Sequence, residues 1–275
     1  ALHIQDRTYA LVPLFCAVVL SAIIWGLVQG LTEFLPISSS GHLVLVPAAL
    51  SAVGLETAEP SLLVSAVLHL GTLIAVLVYF RSDIARLLRF RRDPDGWRLW
   101  GLLIVGTIPA LIGLPLEGTL ESFQDDPRKV GAALIGTSVI LMVGSRFANG
   151  RRVLAEARPK DAFLIGVAQA VALIPGVSRS GATITAGSVL GLSPAEAARY
   201  SFLLGIPTIA GGGLLALMDV GNAGSVDLPL FVGMAVAAVS GYAAIALFLK
   251  ALTRVGLIPF AIYALVAGLA AIFFL

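Results

Sequence analysis

The chain has 275 residues, 58% of them hydrophobic and only 12% charged, with a mean hydropathy of +0.98. A soluble domain is about a quarter charged, so this apolar surplus exceeds what an aqueous core absorbs, and the charge is too sparse for disorder. A net charge of +2 leaves no basic surplus for nucleic acid, and 29 Gly with 14 Pro show no strict period, which excludes a fibrous protein. The single cysteine, Cys16, supports neither a disulfide framework nor a Cys-based metal site. The composition is that of a multi-pass membrane protein.

The first apolar region, residues 11–50, is interrupted by Gln29, Glu33, Pro36 and Ser38-Ser39-Ser40-Gly41-His42. No small-residue cleavage site follows its first half, so a signal peptide is not expected. Three uninterrupted stretches follow, at 62–80, 99–116 and 130–147. Each is close to the roughly 20 apolar residues that a spanning helix needs. A second broken region, 162–192, carries Gln169 and Pro175-Gly176-Val177-Ser178-Arg179-Ser180-Gly181. Three more stretches, 200–218, 228–249 and 256–275, complete six predicted spans. Breaks this polar cannot face lipid, because irregular backbone survives at membrane depth only where it lines a cavity or is buried in protein. Each broken region is therefore read as a re-entrant helix–loop–helix hairpin.

Arginines set the predicted sidedness. Arg81, Arg86, Arg89, Arg91, Arg92 and Arg98 share one connection; Arg146, Arg151, Arg152, Arg158 and Lys160 share another; Arg199, Lys250 and Arg254 mark the later turns. The positive-inside rule makes these cytoplasmic. The alternate connections are acidic (Glu56 and Glu59; Glu117, Glu121, Asp125 and Asp126; Asp219 and Asp227), with Arg128 and Lys129 as exceptions. Both termini are then external, and the first hairpin dips in from outside while the second dips in from the cytoplasm. Three spans follow each hairpin, so the halves are inverted. A shift of 140 lays Gly26, Gln29 and Ser38-Ser39-Ser40-Gly41 on Gly166, Gln169 and Ser178-Arg179-Ser180-Gly181. The predicted fold is an all-α polytopic membrane protein, one membrane domain over 1–275 built as an inverted repeat (about 11–148 and 160–275). Paired broken helices in two halves point to a site at the midplane.

Gln29 and Glu33 stand at i and i+4, on one helical face. A carboxylate at membrane depth costs roughly 3 kcal/mol on insertion scales. Glu33 is thus either interfacial or paired, or it is a cation ligand or proton-transfer group. Ser38, Ser39 and Ser40 precede an apolar helix, where one serine suffices as a cap. A helix N-terminus also suits a phosphate, and a serine beside His42 is a candidate nucleophile–base pair. Arg179 offers a planar fork of donors for phosphate oxygens or a partner for Glu33. Ser178, Ser180 and Thr183 add donors around it. His69, within a span, reads as an interior histidine, Ser193-Pro194-Ala195-Glu196 as a capping box, and Gly211-Gly212-Gly213 as a close helix-packing site.

The stretches Gln29-Gly-Leu-Thr-Glu-Phe-Leu-Pro-Ile-Ser-Ser-Ser-Gly-His42 and Ala172-Leu-Ile-Pro-Gly-Val-Ser-Arg-Ser-Gly-Ala-Thr-Ile184 closely resemble undecaprenyl-diphosphate phosphatases of the bacitracin-resistance type. Gly106-Thr-Ile-Pro109 and Ser201-Phe-Leu-Leu-Gly-Ile-Pro207 are similar to that family too, and the likeness runs from about Ile23 onward. The resemblance implies hydrolysis of undecaprenyl diphosphate to the monophosphate, recycling a lipid carrier for cell-wall polymers, in the inner membrane with the site facing the periplasm. It implies Ser39 as nucleophile with His42 as base or acid, the rivals being His42 itself or a metal-activated water. It implies Arg179 and the loop N–H groups on the diphosphate, and Mg2+ or Ca2+ held by Glu33 with help from Gln29. Gln29 stands where the family's acidic motif allows Glu or Gln. Phosphatidate-phosphatase-like enzymes also use Ser-Gly-His and Ser-Arg pieces, but the second histidine expected after Ser-Arg is absent from residues 180–186. An inverted-repeat lipid transporter or flippase is the alternative. The Gly/Ala-rich stretch 233–246, if it faces lipid, permits a homodimer.

Overall fold

The fold was obtained as a computed structural model that describes residues 2–55, 60–113, 115, 123–220 and 228–275, with backbone only for 2–17, 216, 217, 219 and 220. The acidic side chains of Glu56, Glu59, Glu117, Glu121, Asp219 and Asp227, and that of Cys16, lie outside this description. Eleven α-helices and one short 3-10 turn (Leu154–Glu156) account for the described chain, with no β-strand among the described residues. They are α1 (Leu2–Phe34), α2 (Ser39–Ala52), α3 (Leu62–Tyr79), α4 (Arg81–Leu88), α5 (Pro94–Gly113), α6 (Pro127–Arg146), α7 (Pro159–Val171), α8 (Arg179–Val189), α9 (Pro194–Val220), α10 (Leu228–Val255) and α11 (Ile258–Phe274).

Helices α3, α5, α6 and α10 are long and apolar enough to cross a membrane. The other two predicted spans fall in α9, which has 27 residues, and in α11, whose 17 residues reach about 26 Å. Large apolar side chains face outward on many helices, among them Ile112, Val239, Phe273 and Phe274, as lipid contact requires. Both broken regions are present. α1 ends at Phe34 and α2 starts at Ser39; α7 ends at Val171 and α8 starts at Arg179. The first arm is longer than a short re-entrant half, because α1 runs for 33 residues, about 50 Å.

Glycines decide the packing. A Cβ added at Gly26 in α1 would lie 2.5 Å from the Gly233 carbonyl in α10, and one at Gly166 in α7 would lie 2.2 Å from the Gly106 carbonyl in α5. Gly131 of α6 and Gly268 of α11 approach each other's carbonyls reciprocally, at 2.8 and 2.6 Å from the built Cβ positions. Small residues permit such contacts where no apolar driving force separates helix from lipid. The Gly/Ala stretch of α10 differs from expectation. Gly233, Ala237, Ser240, Gly241 and Ala244 are buried, packed against α1 and α3 rather than facing lipid. Those small residues are used for packing inside the chain.

The basic connections meet at one end. Arg199 clamps Asp83 of α4, with Glu196 3.4 Å from its other terminal nitrogen. Arg98 donates to the Ala157 carbonyl, and the Leu154 N–H donates to Glu196 at 2.9 Å. The capping box at Ser193 is therefore only half made: Ser193 Oγ accepts from Glu196 N at 3.4 Å, while the Glu196 carboxylate turns to Leu154 and Arg199. Three aromatic rings tie the core together above this end, Phe34 edge-on to Phe202 at 5.5 Å and Phe202 to Phe248 at 5.9 Å. They fix the end of α1, and hence Glu33, against α9 and α10.

Candidate active site

The two breaks touch. A Cβ on Gly41, in the first turn of α2, would lie 3.4 Å from Gly176 Cα. Ser180 Oγ donates to the Leu35 carbonyl at 3.2 Å. Each loop is built alike. Ser38 Oγ accepts from Gly41 N at 3.3 Å and Ser178 Oγ from Gly181 N at 3.1 Å, and each cap serine sits 3.2 Å from the serine two residues on. Ser38 and Ser178 are thus the caps, which leaves Ser39 and Arg179 as the first helical residues of α2 and α8. Two helix N-termini, each with partial positive charge, begin at the junction. Ser38 holds φ of 70°, a strained region for a residue with a side chain, and in the second loop Gly176 holds 91°, two residues before the cap of α8. Only glycine fits the second bend, since a Cβ there would lie 2.7 Å from the Val130 carbonyl. Thr137 of α6 braces it, donating to Gly176 O and accepting from Ser178 N, both at 3.0 Å.

Glu33 is the centre of the charged network. Arg179 Nη2 approaches its Oε1 at 2.5 Å, across 146 positions of sequence. Its Oε2 accepts from Ser39 Oγ at 2.6 Å and from Gln29 Nε2 at 3.0 Å. His69 Nε2 stands 3.9 Å from the same oxygen, while its Nδ1 bonds the Ser65 carbonyl at 2.8 Å. Both Glu33 and Gln29 are buried. A buried carboxylate needs such pairing, because an unpaired one costs several kcal/mol.

His42 is placed differently from expectation. Its Nδ1 bonds the Ser38 carbonyl at 2.8 Å and its Nε2 bonds Tyr263 Oη of α11 at 2.7 Å. The hydrogen bond of Ser39 goes to Glu33, so the geometry pairs the serine with the carboxylate rather than with the imidazole. Thr183 is fully buried, its hydroxyl on Arg179 O at 2.8 Å and 2.6 Å from Ser201 Oγ of α9. It steadies the first turn of α8 beneath the arginine. Ser178 and Ser180 likewise have their hydroxyls engaged within the loops.

A cavity of about 920 Å³ opens onto this network, lined by Glu33, Ser40, His69, Gln169, Arg179 and Thr208 among others. It also reaches Pro60, Gln124 and Asp125. These precede α3 and α6, so the mouth lies at the opposite end of α3 from Arg81 and the basic connections. Gly212 and Gly213 line it, and a Cβ on Gly211 or Gly212 would meet nothing within 4 Å. Gly212 and Gly213 thus leave room at the cavity wall, while a Cβ on the buried Gly213 would rest 3.5 Å from Leu70 of α3.

Several site residues were missed in the sequence. His69, Ser65 and Thr72 form a polar strip at i, i+4 and i+7 on α3, a legible signal. Tyr263 stands alone in an apolar helix, and nothing local marks it. Gly205 was invisible as a site residue, yet a Cβ there would lie 1.8 Å from Arg179 Nη1. Gly205→Ala is expected to push the guanidinium aside by about 1 Å. Displacements of that size cost about 100-fold in rate, and Tm is expected to fall as well, because the guanidinium is drawn off its buried partner Glu33. Turnover within threefold of wild type, at unchanged Tm, would show that the guanidinium position is not used.

Among the described residues, no three of His, Cys, Asp and Glu converge as a metal cage. What the site offers a hard cation is one carboxylate, Glu33, and the carboxamide oxygen of Gln29, which is buried without a hydrogen-bond partner. Mg2+-type sites often have one or two carboxylates, with substrate phosphates completing the shell, so the donor set fits a cation that arrives with its phosphate ligand.

The fold and site define a class: an all-helical membrane protein whose two broken helices present Arg179, Glu33 and Ser40 to one cavity, with Ser39 hydrogen-bonded behind them to Glu33. A profile of the family described as Bacitracin resistance protein BacA matches residues 22–270, and the chain belongs to that family. It is 40% identical over 268 residues to the undecaprenyl-diphosphatase of Geobacter metallireducens, covering 93% of this chain and 98% of that protein. It is 42% identical over 264 residues to the one from Idiomarina loihiensis (90% and 95%) and 38% identical over 271 residues to the one from Methanosphaera stadtmanae (91% and 96%).

Proposed function

We propose that this chain is an integral-membrane phosphatase that hydrolyses undecaprenyl diphosphate to undecaprenyl phosphate and inorganic phosphate. One observation carries the chemistry: Glu33 holds Arg179 at 2.5 Å on one oxygen and the Ser39 hydroxyl at 2.6 Å on the other. Arg179, held by a carboxylate until a diphosphate competes for it, gathers the phosphate oxygens and stabilises the charge of the transferring group. Glu33 accepts the Ser39 proton as Oγ attacks the terminal phosphorus. The anhydride P–O bond breaks and its electron pair leaves with the lipid monophosphate. Water then hydrolyses the phosphoserine. The base role thus moves from His42 to Glu33, while His42 and Tyr263 hold the strained Ser38 carbonyl in place. Glu33 and Gln29 would hold Mg2+ or Ca2+, which when bound neutralises diphosphate charge.

The matching contacts of the two halves support an inverted repeat: α1 on α10 as α7 on α5, α6 on α11 across the reciprocal glycines, and twin serine caps. The positive-inside rule places the Arg199–Asp83 end in the cytoplasm and so turns the cavity mouth to the outer face of the inner membrane. The C55 tail stays in the bilayer beside the mouth. The test is phosphate release from undecaprenyl diphosphate by the purified protein in detergent. Release that stops with a chelator and returns with Mg2+ or Ca2+ is expected. No release under any cation would sink the phosphatase reading and leave a lipid transporter.

A further inference from the structure

Gln169 is buried, with 3% of its surface exposed, and it lines the cavity beside Glu33 and Arg179. Neither its amide nitrogen nor its amide oxygen has a hydrogen-bond partner. Buried polar groups are almost always paired, and leaving one unpaired is costly. Its counterpart in the other half has a partner: Gln29 Nε2 donates to Glu33, four residues on. Four residues beyond Gln169 stands Leu173, so the local helix supplies nothing.

We infer that the Gln169 carboxamide is a diphosphate-binding group, donating its N–H bonds to a phosphate oxygen in the cavity. The inference rests on the phosphatase reading and adds a contact to it. The cavity already offers donors from Arg179, His69 and Ser40, beside the carboxylates of Glu33 and Asp125. A carboxamide supplies donors without another charge, which suits a phosphate whose oxygens are shared with an arginine. The free carbonyl oxygen meanwhile suits a water or cation that travels with the diphosphate. Gln169 is used for binding, not for proton transfer, because an amide does not titrate in the accessible range.

Gln169→Leu separates this from a structural role. Replacing an unpartnered amide by a side chain of similar size removes no protein hydrogen bond, so the ligand-free Tm is expected to stay or rise. The KM for undecaprenyl diphosphate is expected to rise about tenfold, with kcat within threefold, as loss of uniform binding dictates. Stabilisation of the purified protein by inorganic pyrophosphate, read as a Tm shift, is expected to shrink to less than half of wild type. An unchanged KM together with an unchanged pyrophosphate shift would overturn the inference, and so would a ligand-free Tm several degrees lower. Should the wild type release no phosphate at all, the phosphatase reading fails separately, and the pyrophosphate shift still decides whether Gln169 binds a diphosphate.

Discussion

Arg179→Ala is expected to lower phosphate release by about 1,000-fold while the protein still inserts and purifies. An arginine that stabilises a transferring phosphoryl group contributes 10³ to 10⁵ in rate, and about three powers of ten correspond to roughly 4 kcal/mol of barrier. Among the described residues lining the cavity no other carries a fixed positive charge. His69 is 3.9 Å from Glu33 and carries charge only when protonated. The substitution also strips Glu33 of its ion-pair partner, and breaking a buried pair costs about 3–5 kcal/mol. Loss of activity must therefore be separated from loss of fold. The double variant Arg179→Ala/Glu33→Gln removes both charges, so its Tm should recover toward wild type while turnover stays lost. Arg179→Lys keeps the charge but not the fork and should fall between. Activity of Arg179→Ala within tenfold of wild type, in protein of normal Tm, would remove the arginine from the site.

Ser39→Ala is expected to cost at least about 100-fold, the scale on which a single hydroxyl acts when it is itself the attacking atom. Here the structure allows a clean reading. The cap of α2 is Ser38, whose Oγ takes Gly41 N, so deleting the Ser39 hydroxyl leaves the helix start intact. What is lost is one bond, the 2.6 Å donation to Glu33. Tm should shift little, and a phosphorylated protein trapped by rapid acid quench in the wild type should be absent from the variant. A loss of only a few-fold, with no trapped phosphoprotein in either, would hand the attack to water or to His42.

Much of the site was legible because its parts are local. Gln29 and Glu33 share a helical face by spacing alone, and the serine runs sit before apolar segments that must start as helices. The two breaks were legible because polar residues within membrane-length apolar stretches have few places to go. Gln169 was seen only as an interruption, since whether an amide is paired depends on what packs beside it. The partner of His42, Tyr263, lies 221 residues away, and no spacing rule reaches that far. The Gly/Ala stripe of α10 and the triple glycine of α9 were misplaced for a related reason. Small residues permit close approach, but the sequence does not say to what, and the structure puts the first against α1 and α3 and the second at an open cavity.

By itself the sequence determined that this is a helical membrane protein with two polar breaks and which side chains carry charge to membrane depth. Hydropathy and helical spacing act over a turn or two, so they can be read along the chain. The tertiary structure decided that the guanidinium of one break rests on the carboxylate of the other, that the serine answers to Glu33 instead of His42, and that Gln169 is left unpaired at the cavity. Those outcomes depend on backbones meeting at the distance that Gly26, Gly106, Gly131 and their partners allow, and on which polar groups find each other once water is excluded.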